Sequence, residues 1–179
     1  MRYTVRDHRS EEFDTLWKID QSCFVPGIAY SRYELKAYMR RGGAFTLVAE
    51  AAGERAEGNG GDRSARGEPL DENAILGFLV AECGRRKVGH VITIDVRSEA
   101  RRHRVGSALL EAAELRLGSA QCQLVRLEAA VDNLAALSFY KRRGYNVLQT
   151  IPRYYSNGVD ALLLEKELLL PISRTSVPQ

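Results

Sequence analysis

Twelve residues separate a carboxylate, Glu128, from a phenol, Tyr140, in a chain that also carries the run Arg101-Arg102-His103-Arg104-Val105-Gly106-Ser107-Ala108. That run follows an apolar strand pattern and opens a helical one. A strand that turns through basic residues into a helix N-terminus is a device for binding phosphate. Amides of the first helical turn have no internal partner, the helix dipole adds positive charge, and neighbouring arginines add charge-assisted contacts. The same composition also fits a solvated basic helix start or a nucleic-acid patch, and the segment alone leaves these readings open. Glu128 falls at the end of one apolar strand and Tyr140 inside the next helix, a spacing that can bring both toward one cleft, within direct or water-bridged reach of a proton. The plainer alternatives are an exposed strand-end carboxylate and a packed tyrosine. A third cluster, Tyr154-Tyr155 within Pro152 to Ala161, pairs two phenols that can hydrogen-bond a peptide backbone while walling a small side chain, or simply form a tyrosine-rich hairpin turn.

The elements that must position these residues follow from periodicity and turn chemistry. Tyr3 to Arg6 alternates as a strand, and Ser10 is a candidate N-cap for a helix bearing Phe13, Leu16, Trp17 and Ile19 on one face. Cys23 to Gly27 breaks that helix. A second helix is expected from Ser31 through Leu35 and Tyr38 to Gly42-Gly43, followed by a strand from Ala44 to Glu50. Residues 51–73 are rich in Gly, Glu, Arg and Asp and read as a mobile surface loop, because they hold too little apolar area to offset ordering entropy. Strands are expected at Ile75 to Cys83 and Val88 to Val96, joined as a hairpin. A helix from Arg104 to Leu117 is ended by Gly118, and a strand covers Gln123 to Val131. A helix from Asn133 to Arg143 is closed by Gly144, and strands at Tyr145 to Thr150 and Val159 to Leu168 complete the set. The order β-α-α-β-β-β-α-β-α-β-β is a mixed α/β domain, with a central sheet of about seven strands flanked by about four helices.

At 179 residues and 45% hydrophobic content the chain has the size of one domain with a substantial core, spanning about 1–170 with a tail at 171–179. A net charge of +3 with interspersed signs does not demand nucleic acid as a partner. Cys23, Cys83 and Cys122 are odd in number and far apart in sequence, and read as reduced thiols of a cytoplasmic protein. The amino terminus alternates like a strand and lacks a signal-peptide run, and no stretch has membrane-spanning length. His8, His90 and His103 show no ligand spacing, so they read as surface or satisfied residues and give a metal no support.

The basic run resembles R-x-x-G-x-G/A, the pyrophosphate loop of the GNAT superfamily of acetyl-coenzyme A dependent N-acetyltransferases. Arg101 matches the first position and Gly106 the last, while Arg104 stands where the family has its first glycine. Leu127 to Tyr145 resembles the family's strand, N-x-x-A-x-x-x-Y helix and G-[FY] strand. The ending Arg153-Tyr154-Tyr155-Ser156-Asn157-Gly158-Val159-Asp160-Ala161 is similar to the R-x-Y-Y-x-x-G-x-D-A of N-terminal acetyltransferases, bacterial ribosomal-protein alanine N-acetyltransferases in particular. The resemblance spans about Tyr3 to Leu168.

Acetyl transfer from a thioester to an amine needs a neutral nucleophile, stabilisation of an oxyanion and a proton for the departing thiolate. An α-amine with pKa around 8 meets the first need far more readily than a lysine amine near 10.4, though a base helps both. The resemblance implies acetyl-CoA as cosubstrate, no metal, Glu128 as proton acceptor and Tyr140 as proton donor. It implies coenzyme contacts from Ile94, Asp95 and Val96 of the preceding strand, from Arg101, Arg102, His103, Arg104, Val105, Gly106 and Ser107, and from Asn133, which as the residue after Asp132 could instead be only a helix cap. Acceptor walls would come from Tyr154 and Tyr155 and, opposite, from a Phe-Pro type loop holding Phe24, Pro26 and Tyr30, whose order departs from the family's. The implied function is an acyltransferase acting by direct attack on a protein N-terminal α-amine, a ribosomal protein among the acceptors, in a monomer or weak homodimer with neither nucleic acid nor membrane as partner. The alternatives are a GNAT acting on a lysine, polyamine or small amine, and a non-catalytic coenzyme A sensor. Cys83 and Cys122 as covalent carriers are disfavoured, since neither stands beside a histidine.

Overall fold

The computed structural model describes residues 1–52 and 74–168. Ala51 closes a strand; the rest of the segment read as a mobile loop, and the tail, lie outside the described residues apart from Ala52. The elements are β1 (Tyr3–Asp7), α1 (Phe13–Cys23), α2 (Arg32–Met39), β2 (Ala44–Ala51), β3 (Ile75–Cys83), β4 (Val88–Val96), α3 (Val105–Ser119), β5 (Leu124–Ala130), α4 (Leu134–Arg142), β6 (Asn146–Ile151) and β7 (Ala161–Glu167). They build a seven-stranded sheet in the order β1-β2-β3-β4-β5-β7-β6, antiparallel except between β4 and β5. Both faces are covered, which is why β3 reads as an almost unbroken apolar run instead of alternating.

Leu109, Leu110, Ala113 and Leu117 of α3 pack on one face with Leu47, Leu79, Val91 and Leu127. Leu16 and Ile19 of α1 and Leu35 of α2 pack on the other with Val48, Phe78 and Val80. Each fully buried leucine contributes roughly 1.5–3 kcal/mol relative to an exposed one.

Local departures from the sequence expectation have local causes. Ser10 does not cap α1, because its hydroxyl pairs with Glu11 and residues Ser10–Glu12 form a 3-10 turn. The buried Glu12 carboxylate instead accepts the Arg9 amide at 2.7 Å and Arg6 Nη2 at 2.6 Å, and Arg6 also reaches Glu50 on β2, tying the helix entrance to the sheet. The helix expected from Ser31 is α2, and Ser31 is its cap, in a reciprocal box with Glu34. Gly118 does not end α3. It is buried inside the helix, which leaves through Ala120 and a left-handed Gln121.

Two features of β4 prepare the site. Pairing with β5 is confined to Val88, Gly89 and His90 against Leu124, Val125 and Arg126, so the remaining halves of both strands diverge and open a cleft. Ile92 is a bulge residue, since Thr93 faces Val80 while Val91 faces the next residue, Ala81. The bulge resets the alternation: Ile94 packs with the α3 face, whereas Ile92 lies against the α1 cluster.

Candidate active site in the β4–β5 cleft

At one wall of the cleft stands the N-terminus of α3. The first intrahelical bond runs from the Ala108 amide to the Arg104 carbonyl, and no side chain caps the helix. The amides of Val105, Gly106 and Ser107 are therefore the donors that a helix end offers an anion. A Cβ placed on Gly106 would lie 3.5 Å from Val96, 3.8 Å from Phe139 and 3.9 Å from Ile94, so this turn borders the divergent end of β4 and helix α4. The residues present fit a pyrophosphate. The Val105 side chain is buried in the core and leaves only its amide available, while Arg102, His103 and Arg104 are exposed around the turn. Arg101 folds back, its Nε donating to the Val96 carbonyl at 3.2 Å, so it fixes the loop against β4.

Arg104 explains the glycine of the family pattern. It sits at φ 64°, ψ 10°, and Arg102 shares the positive φ, a region in which a side chain is strained and glycine is not. Arg104→Gly is expected to stabilise the fold by about 1 kcal/mol, raising Tm by roughly 2–4 °C in thermal melts. The same variant is expected to weaken coenzyme A binding at low salt, measured by calorimetry, because a cation beside the cradle is lost.

The three residues expected as one coenzyme-binding strand separate. Ile94 and Val96 lie on the α3 side near Gly106. The Asp95 side chain is 1% exposed and its residue pairs with Phe78, on the α1 face, so what it offers the cleft is backbone, the role the resemblance implies for this strand. Thr93 donates to Asp95 Oδ2 at 3.0 Å, and Asp95 Oδ1 has no partner among the described residues. Burial pushes the Asp95 carboxyl well above the usual range, and the charge of Asp20 on α1 pushes it further.

Asp20 is itself buried, and it fastens the chain after α1. Its Oδ2 accepts the Tyr30 amide at 2.9 Å and Gln21 Nε2 at 2.9 Å, while Gln21 also donates to the Tyr30 carbonyl. Desolvation raises its pKa to about 6, against the lowering effect of those bonds. With the folded value above the unfolded one, the stability this group contributes is complete below about pH 4 and is lost as pH rises through about 6. Asp20→Asn keeps an acceptor for both N–H groups and removes the charge. Its unfolding free energy is expected to gain on the order of 2 kcal/mol over the parent at pH 7 and nothing at pH 4, by urea titration at each pH.

The opposite end of the cleft holds Glu128. His90, expected to be a bystander, donates from Nε2 to Glu128 Oε2 at 2.7 Å. His90 pairs with Arg126 in the last rung joining β4 to β5, so Glu128, two residues on, stands just past the fork. The Tyr154 hydroxyl faces the same carboxylate, and burial with that nearby charge raises its pKa. Tyr155 meets the Tyr154 ring edge-on at 5.0 Å, its own phenol pushed up to about 12 by burial and Glu128. Tyr30 donates its hydroxyl to the carbonyl of the bulged Ile92 at 3.3 Å and packs edge-on against Tyr38, a wall residue that the sequence pattern does not single out.

The two acceptor loops clasp each other. The Ser156 amide and hydroxyl both donate to the Gly27 carbonyl, and a Cβ on Gly27, at φ 90°, would come 2.7 Å from Asn157 Cβ. That contact accounts for Gly27 following the altered Phe-Pro segment. Within the segment, Phe24 is half-buried and Pro26 exposed, and hydrogen bonds to the rest of the wall are made by the Gly27 carbonyl and the Tyr30 hydroxyl.

Tyr140 lies deep, 6% exposed, between the rings of Phe139 and Tyr145. Burial, then the charge of Asp95, then Tyr155 raise its pKa, so its phenol stays protonated. Asn133 caps α4, its Oδ1 accepting the Ala136 amide at 3.1 Å. Among the described residues no three His, Cys, Asp or Glu side chains gather as a metal site.

A sheet forked between two parallel strands, with an uncapped helix end on one side and a carboxylate among tyrosines on the other, has close relatives in other proteins. Residues 13–145 match the model of the acetyltransferase (GNAT) family. An N-alpha-acetyltransferase of Sulfurisphaera tokodaii is 35% identical over 178 residues, covering 93% of each chain. Ard1 from Thermoplasma volcanium superposes with a TM-score of 0.76 at 23% identity, over 94% of this chain and 99% of that one. The ribosomal-protein-S18-alanine N-acetyltransferase from Escherichia coli does so at 0.74 and 16%, over 98% and 100%. The fold, the match over most of the chain and a relative similar along nearly its whole length agree: this chain belongs to the GNAT family and is an N-acetyltransferase.

Proposed function

We propose that the enzyme acetylates the α-amine of protein N-termini in the cytoplasm, with Glu128 as proton acceptor and Tyr140 as proton donor. The observation that carries this reading is the Glu128 carboxylate, held by His90 and faced by Tyr154 just past the fork of β4 and β5. Acetyl-CoA, when bound, would supply the activated acetyl thioester; the amides of Val105, Gly106 and Ser107 with the exposed Arg102, His103 and Arg104 would hold its pyrophosphate, and the backbone of Ile94 to Val96, beyond the last rung with β5, would hold its arm.

Each remaining need falls to a side chain of this protein. Glu128 takes the proton of the incoming ammonium, and His90, bonded to Oε2, fixes the orientation of the carboxylate so that its other oxygen meets the amine. Tyr140, kept neutral by burial, protonates the departing sulfur. Asn133 spends Oδ1 on the helix and leaves its amide NH2 for the coenzyme. Direct attack needs no protein nucleophile.

Support for a protein N-terminus comes from the acceptor mouth. The Gly27 clasp joins its two loops and Tyr30, Tyr38, Tyr154 and Tyr155 line it, which suits a peptide end entering with a small first side chain. An α-amine also asks less of the base than lysine does. Within this class we favour an alanine-starting ribosomal protein. The enzyme is expected to acetylate an alanine-starting peptide at least tenfold more efficiently, in kcat/KM by thiol release, than the same peptide N-blocked and carrying a lysine. The reverse preference would overturn the proposal.

A further inference from the structure

Cys83 and Cys122, read from sequence as separate thiols, stand with their sulfurs 2.9 Å apart across 39 residues of chain. Three contacts create the approach. Cys83, at the end of β3, pairs with Gly89 of β4, and cross-strand partners share a face. Gly89 has no side chain, and a Cβ there would lie 2.7 Å from Leu117, so the α3 end and the turn after it settle directly over the sheet. That turn carries Cys122, anchored by its amide on the Leu117 carbonyl at 2.9 Å and followed by Gln123, whose amide binds the Lys87 carbonyl. The Cys83 backbone is fixed as well, its amide donating to Gly43 at 3.1 Å. Both thiols are therefore held by paired backbone and meet face to face.

We propose that Cys83 and Cys122 are an oxidation site that closes to an intramolecular disulfide, stapling β3 to the start of β5 at the closed end of the cleft. The oxidant is a low-molecular-weight disulfide. Cys83, half-buried, attacks one of its sulfurs as thiolate, forming a mixed disulfide and releasing one small thiol. Cys122, fully buried, then loses its proton, displaces the second small thiol from Cys83 and completes the bridge. Two protein thiols and one small disulfide give one protein disulfide and two small thiols. Cys23 stands apart with the α1 cluster on the opposite face, its thiol donating to the Val96 carbonyl at 3.5 Å, and serves as an internal control.

The test treats the native full-length protein with oxidised glutathione and maps its thiols by mass spectrometry of alkylated digests. The expected result is a Cys83–Cys122 cross-linked peptide with Cys23 alkylated, reversed by dithiothreitol. Oxidation is also expected to raise Tm by roughly 10 °C, since the bridge closes a long loop in the unfolded chain, and Cys122→Ser should show neither the cross-link nor the rise. Three alkylated thiols after oxidation, or a stable glutathione adduct on Cys83 without the cross-link, would overturn the proposal.

Discussion

Glu128→Gln is expected to lower kcat/KM for acetyl transfer by roughly 10²–10³, the usual worth of a positioned general base. The replacement preserves shape. Its amide oxygen can still accept the His90 Nε2–H now bonded at 2.7 Å, and among the described residues the ion pair of Glu128 is the one with His90. Its amide cannot take a proton from an ammonium. The loss should therefore appear in turnover and not in coenzyme A affinity, because the helix cradle at Val105 to Ser107 lies at the other wall. A companion variant, His90→Gln, keeps the base and loosens its orientation, and a smaller loss of roughly tenfold is expected. Steady-state assays with calorimetric coenzyme binding separate these outcomes. An unchanged turnover in Glu128→Gln would remove the carboxylate from the chemistry.

Tyr140→Phe is expected to slow the acetyl-transfer step by about 10², read in single-turnover experiments so that product release does not mask it. The ring packing that holds Tyr140, with Phe139 at 5.2 Å and Tyr145 at 5.7 Å, is retained by phenylalanine, and thermal stability should change little. Because burial raises the Tyr140 pKa, the phenol stays a donor at neutral and moderately alkaline pH. Loss of the donor is thus expected at every pH tested. Coenzyme analogues with a better leaving thiol should recover part of the rate, since they need the proton less. A Tyr140→Phe enzyme with parental single-turnover rate would assign the tyrosine to packing.

Short-range features of this fold were readable in the sequence because their causes are local. The Ser31–Glu34 box starts α2 within one turn, and Gly144, at φ 87°, marks the end of α4. The exposed basic turn that opens α3 was legible for the same reason, since its arginines and the start of the helix lie within one short stretch. Arg104 was legible as an anomaly, and its left-handed backbone supplies the physical reason that a glycine belongs there.

Whatever depends on strand register was not legible. His90 meets Glu128 across 38 residues, and only the parallel rung of His90 with Arg126 brings them together. The bulge at Ile92 decides which face each later residue of β4 takes, so the sequence pattern alone did not place the Asp95 side chain on the α1 face. Gly27 looked like part of an altered loop because its partners, Ser156 and Asn157, arrive from the other end of the chain. Cys83 and Cys122 were read as distant for the same reason.

The proposed reaction is delivery of acetyl from this cleft to a peptide α-amine. One measurement tests it most directly: a single peptide bearing a free N-terminal alanine and an internal lysine, incubated with enzyme and acetyl-CoA, with the site of the added acetyl located by tandem mass spectrometry. Acetyl is expected on the N-terminal nitrogen alone, and is expected to be lost with Glu128→Gln. Acetyl on the lysine side chain with a free N-terminus would contradict it.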